Sequence, residues 1–165
     1  MLLKRLSLIL VCFCLLLCSS CGQREIDTER ILGELLPVAG DLPQGEIYRS
    51  DAEEGCEGFL APTLRDVLYG EDSSECFALL EGYAIYLSSF AYPCEIGVFC
   101  LRSASDADRI TAMCLERADT LRVLLRETEF SKMAESIRVI CRGRLVIMGL
   151  VADAARFESE AYRLS

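Results

Sequence analysis

From Ile110 to Leu125 the apolar positions return every three or four residues: Ile110, Met113, Cys114, Ala118, Leu121, Leu124 and Leu125. That spacing predicts a helix with one continuous core face, ending near Arg126. Ser105-Asp106-Ala107-Asp108 ahead of it forms a capping-box-like start. A shorter helix is expected from about Asp27, where Asp27 or Thr28 can cap it and Ile31, Leu32, Leu35 and Leu36 form its apolar side before Pro37 closes it. Pro62 suits the first turn of a helix through Leu68, ended by Gly70, and Ser73 or Ser74 opens another that holds Phe77, Leu79 and Leu80. A last helix, from Asp153, carries Ala154, Phe157, Ala161 and Tyr162.

Elsewhere the period shortens to two. "GEIYRSD" predicts a short strand, and "GYAIYLSS" and "CEIGVFCLRS" predict two more, joined at "FAYP". Along the second of these, Ile96, Val98 and Cys100 share one face while Glu95, Gly97, Phe99 and Leu101 share the other. "SIRVIC" and "RLVIMGLVA" flank Arg142-Gly143, a short turn that makes a hairpin. The resulting order is α, β, short helices, ββ, α, ββ, α. Strands in adjacent pairs with helices between them predict an α+β fold with a mainly antiparallel sheet packed against helices.

The N-terminus follows neither period. In "MLLKRLSLILVCFCLLLCSSCGQ", Lys4 and Arg5 precede an apolar run from Leu6 to Leu17. As a helix that run would be about 18 Å long, short of the ~30 Å hydrocarbon core of a bilayer. A basic start, an apolar middle and small residues at the end make a signal-peptide pattern over residues 1–20. Ser19-Ser20-Cys21 resembles the lipobox of bacterial lipoproteins, with Cys18 standing where leucine is usual. The resemblance implies cleavage before Cys21, a diacylglycerol thioether on its sulfur and a tether over residues 21–26. Two acyl chains suffice for stable anchoring. The expected location is the outer face of the cytoplasmic membrane. A thioredoxin-type C-x-x-C would follow a strand rather than an apolar run, and a zinc site would need a second pair of ligands.

Residues 27–165 are enough for one ordinary domain with one core. Without Lys4 and Arg5 the chain carries 15 basic against 26 acidic residues, a net charge of −11. That balance disfavours nucleic acid as a partner, because phosphate binding needs a Lys/Arg footprint. Arg138, Arg142 and Arg144 gather around one turn, where a solvated hairpin tip accounts for them.

"YAIYLSSFAYPCEIGVFCLRSASDADRITAMCLERADTLR", followed by "VICRGRLVIMGLVAD", resembles the small lipoproteins of domain-of-unknown-function family 4358, typical of anaerobic low-GC Gram-positive bacteria. The family pairs a lipobox leader with a Glu-Ile-x-Val-Phe-type strand, an alanine-rich helix bearing an arginine, a hairpin and a terminal helix. Glu95 to Phe99 match the strand and Arg117 the helix arginine, over a resemblance running from Asp27 to Ala161. It implies an envelope location and a fold, and no reaction.

The chain has no histidine, which excludes Ser-His-Asp and Cys-His catalysis and imidazole metal sites. No G-x-x-x-x-G-K-[ST], G-x-G-x-x-G or D-x-D-x-D-G is present, so neither a cofactor nor a metal is expected. Six cysteines follow Cys21, at positions 56, 76, 94, 100, 114 and 141. Cys100 and Cys141 fall in apolar strands and Cys114 in an apolar helix stripe, where cysteine behaves as a small hydrophobe, so mostly free thiols are expected. Cys56 lies in a polar Gly/Glu loop and is the cysteine expected to be exposed; if a bridge forms, Cys56 with Cys94 is the candidate. Glu53, Glu54 and Glu57 read as solvated surface, with weak binding of a divalent cation as the sharper alternative. Glu95 and Arg117 are the best single candidates for a site, and an ion pair between strand and helix is their plainer reading. These features point to a non-enzymatic lipoprotein that binds an envelope protein or cell-wall component. An envelope hydrolase using carboxylates, or a thiol at Cys56, is the alternative.

Overall fold

The computed structural model describes residues 26–40, 42, 44–88 and 92–165. The leader, Cys21 and the tether as far as residue 25 lie outside the described residues, as does much of the "FAYP" connection. Helix α1 (Thr28–Leu35) is capped by the Asp27 carboxylate, which accepts from the Arg30 N–H, and a 3₁₀ turn carrying Pro37 follows it. Strand β1 (Gly45–Arg49) leads through a loop into α2 (Pro62–Tyr69), with Pro62 in its first turn. Gly70 ends α2 at φ 88°, a left-handed angle that a side chain resists. Helix α3 (Ser73–Ala78) is tied back to α2 where the Ser73 hydroxyl donates to Asp66 and accepts from Arg65.

Strands β2 (Leu80–Ser88) and β3 (Glu95–Leu101) precede the long helix α4 (Ala107–Leu125). A short α5 (Ser131–Glu135), the hairpin β4 (Arg138–Arg142) and β5 (Leu145–Leu150), and α6 (Ala154–Leu164) complete the chain. All pairings are antiparallel in one five-stranded sheet of order β1-β2-β3-β5-β4. The α+β architecture and the two hairpins therefore agree with the sequence.

Four details differ. Leu80 opens β2 instead of closing α3, because the antiparallel ladder pairs it with Leu101. The capping hydroxyl before α4 belongs to Ser103, which accepts from the Ser105 N–H at a 3₁₀ turn preceding the helix proper. Cys141 is exposed on an edge strand. Helix α5 has only Met133 and Ala134 as apolar members and gives no periodic signal.

Both faces of the sheet are covered, so the expected single core is two. Phe99, Leu101, Ile85, Val146, Met148 and Leu150 pack beneath α2, α3 and α4. Ile96, Val98, Ala84, Tyr86, Ile147 and Ile140 pack against α1 and α6. The alternation along β3 explains this: its odd and even positions are both largely apolar, and all seven residues are buried. Such a strand needs a helix layer on each side.

Candidate functional site

Glu95 opens the central strand, and its side chain faces the α4 side together with Gly97 and Phe99. It belongs to a cross-strand row Glu46–Leu87–Glu95–Leu150 that runs over β1, β2, β3 and β5. Arg117 sits three residues after Cys114 and four before Leu121, so helical geometry puts it on the buried stripe of α4. Ala118, fully buried beside it, keeps that stripe thin where helix and sheet meet.

The two side chains meet fork to fork. Arg117 Nε donates to Glu95 Oε1 at 3.2 Å and to Oε2 at 3.1 Å, and Arg117 Nη2 donates to Oε2 at 2.6 Å. The last residue of α2 adds a third member: the Tyr69 hydroxyl donates a long hydrogen bond, 3.4 Å, to Glu95 Oε1. Glu95 is only 3% exposed. Burial alone would pull the Arg117 guanidinium down, but the Glu95 charge and its hydrogen bonds outweigh that, and Arg117 stays above its ordinary value. Burial first, and the Glu95 charge second, push the Tyr69 phenol well above its usual range. The site is thus a fixed, internally neutralised carboxylate–guanidinium pair with a neutral tyrosine against it.

Beside the pair a cleft of about 740 Å³ opens between α2, α4 and the β1 side of the sheet. Leu64 and Leu68 of α2 form one wall, and Leu121, Leu124 and Leu125 of α4 form the other. Leu87 and Leu150 complete the apolar floor around Glu95 and Arg117, and Gln44, Glu46 and Tyr48 supply the polar edge on β1. Leu124 is 65% exposed, so it belongs to the cleft rim and not to the core face that its spacing suggested; Tyr162 on α6 is likewise exposed. The Tyr48 hydroxyl donates to Glu46, and burial and the Glu46 carboxylate raise the Tyr48 phenol to about 12.

Glu95 and Arg117 are therefore brought together, and Cys56 is not. Cys56 lies in the exposed loop between β1 and α2, where its N–H donates to the Glu53 carbonyl and its own carbonyl accepts from Phe59 N–H. Glu53, Glu54 and Glu57 are exposed in the same loop, and no group of three His, Cys, Asp or Glu among the described residues could hold a metal ion. Arg138 pairs with Glu158, Arg142 donates to the Tyr162 carbonyl and Arg144 binds Glu81, so each arginine at the hairpin tip is already engaged. Tyr69 and the α2 leucines were not singled out in the sequence. Their i, i+4 spacing marks an apolar helix face, but nothing local says that the face stands off α4 to leave a cleft.

All six cysteines among the described residues are free, including Cys56 and Cys94. Burial, with the nearby Glu95 charge, raises the Cys94 thiol to about 12, and burial raises Cys100 and Cys114 as well. Brief iodoacetamide treatment at pH 8 is expected to alkylate Cys56 and Cys141, with the four buried thiols reacting only after denaturation in urea. Peptide mass mapping reads this directly, and native modification of Cys94 or Cys114 would contradict the packing described.

Among known proteins, no family model, no curated protein and no solved structure matches the chain.

Proposed function

We propose that the protein is an envelope lipoprotein, anchored through Cys21 at the outer face of the cytoplasmic membrane, whose domain binds a partner in the cleft over Glu95 and Arg117 and catalyses no reaction. The observation that carries the binding reading is the cleft itself: about 740 Å³, leucine-walled, and floored by a mutually neutralised ion pair. Pockets of this size and apolar character are typical ligand sites. The leader supports the location through its basic start, short apolar run and Ser-Ser-Cys end. Among the described residues no helix is long and apolar enough to cross a membrane.

A carboxylate hydrolase gains little support from this geometry. Glu46 and Glu95 both line the cleft, on either side of Leu87 in one row, but Glu95 is not available as an acid. Glu95 accepts three hydrogen bonds from Arg117, so both its oxygens are committed to that pair and are not free to deliver a proton.

Two measurements test the proposal. In cells, an alkyne-bearing fatty acid should label the wild type and leave Cys21→Ala unlabelled; persistent labelling of the alanine variant would sink the anchor. A photocrosslinking residue at Leu124 in native membranes should give a discrete adduct that the same residue at Ser159, exposed on α6, does not. Equal or absent adducts from the two positions would overturn binding through the cleft.

A further inference from the structure

The cleft lining is chemically narrow. Its apolar walls are leucines from α2, α4 and the sheet, and Tyr48 is the only aromatic residue lining it among the described residues. Nucleobases are usually held by stacking on aromatic faces, and among the described residues of the lining Tyr48 alone offers such a face, against seven leucines. Leucine side chains instead give a pliable aliphatic surface, whose natural complement is a chain of methylenes. Burial of successive methylenes drives entry without any directional contact.

Charge decides the other end of the ligand. Among the described residues Arg117 is the only cation lining the cleft, and its hydrogen bonds go to Glu95. These two neutralise each other, which leaves Glu46 as the unbalanced charge, exposed on the edge strand β1. An anionic head group at that edge would meet a carboxylate, and the one cation in the lining is already neutralised by Glu95. A neutral or cationic head would meet Glu46 and the Gln44 amide.

Resting on the reading of this cleft as the binding site, we infer that it takes the single aliphatic chain of an amphiphile whose head group is uncharged or cationic. The chain lies between α2 and α4, and the head sits at Glu46. The test uses the full chain in membranes and a hexadecyl diazirine probe with three head groups: maltoside, trimethylammonium and sulfate. Mass mapping should place adducts of the first two on α2 and on α4 from Arg117 to Leu125, with the sulfate probe at least about tenfold weaker. Leu124→Glu, at the exposed rim, should lose these adducts. Val123→Glu should keep them, because Val123 is 63% exposed and does not line the cleft.

Adducts spread evenly over the surface, or unchanged in Leu124→Glu, would overturn the inference. Equal labelling by the sulfate probe would overturn the head-group assignment. If the alkyl probes miss the cleft while the crosslinker at Leu124 captures a protein, the ligand is a polypeptide and the aliphatic assignment fails, yet the binding reading stands. If both miss it, both fail.

Discussion

Arg117→Met is expected to destabilise the domain by about 3–5 kcal/mol, read as a lower urea midpoint with an unchanged slope. Methionine keeps much of the length and packing of the arginine stem, so the loss isolates the charge. The large cost arises because Glu95 is 3% exposed and would be left as an uncompensated buried carboxylate. The intact pair stabilises far less than that figure suggests. Each ion lost several kcal/mol of hydration on burial, and the fork geometry roughly offsets it.

Glu95→Leu added to Arg117→Met should therefore recover most of the stability, although neither change is tolerated alone. The Tyr69 hydroxyl then lacks its acceptor, which costs about 1–3 kcal/mol, and Tyr69→Phe as a third change should remove that remainder. Simple additivity of the first two substitutions would show that the pair is not coupled.

Phe99→Ala is expected to cost a similar amount, about 3–5 kcal/mol, for a different reason. Phe99 is fully buried at the centre of the α4-side core. Its ring meets Tyr69 edge-on at 5.9 Å and Phe77 at 6.2 Å, so its removal leaves a cavity bounded by aromatic rings. The ring also lies over Gly97: a Cβ there would come within 2.6 Å of Phe99 Cε2. Gly97→Ala should accordingly cost about 1–3 kcal/mol in the wild type through overpacking. In the Phe99→Ala background most of that cost should vanish, because the added methyl enters space the ring has left. A Gly97→Ala penalty equal in both backgrounds would place the strain elsewhere.

Those two positions also show how much of the molecule could be read from its sequence. The alternation along "EIGVFCL" put Glu95, Gly97 and Phe99 on one face, whereas Arg117 stood outside the apolar stripe read along α4 and drew notice only through the family resemblance. The strand-to-helix ion pair that was their plainer reading is what forms, and the helix position three after Cys114 and four before Leu121 is what lets Arg117 reach Glu95. Why residue 97 must be glycine does not follow from the alternation, since it depends on the rotamer of Phe99. The two-sided sheet was written in β3, where Ile96 and Val98 are as apolar as Phe99 and Leu101. Leu124 failed as a core residue because periodicity specifies a helix face and not how far the sheet extends beneath it. Leu124 and Leu125 at the last turns of α4 face Leu64 and Leu68 of α2 across the cleft that they line together. No property of Leu124, Leu64 or Leu68 taken alone encodes it.

The order β1-β2-β3-β5-β4 leaves two edges, each five residues long. On β1 the Arg49 N–H donates outward to the Gly58 carbonyl, and the left-handed φ of 84° at Gly58 folds the loop so tightly that a Cβ there would stand 3.1 Å from the Ile47 carbonyl. On β4 the ends carry Arg138 and Arg142, both turned to partners on α6. A neighbouring chain seeking to add a strand would find one rim closed at its Arg49 end and the other short and charged. Both edges are thus too short or too charged at their ends to offer a long flat ladder, which disfavours the strand-by-strand polymerisation open to extended exposed sheets when copies crowd together.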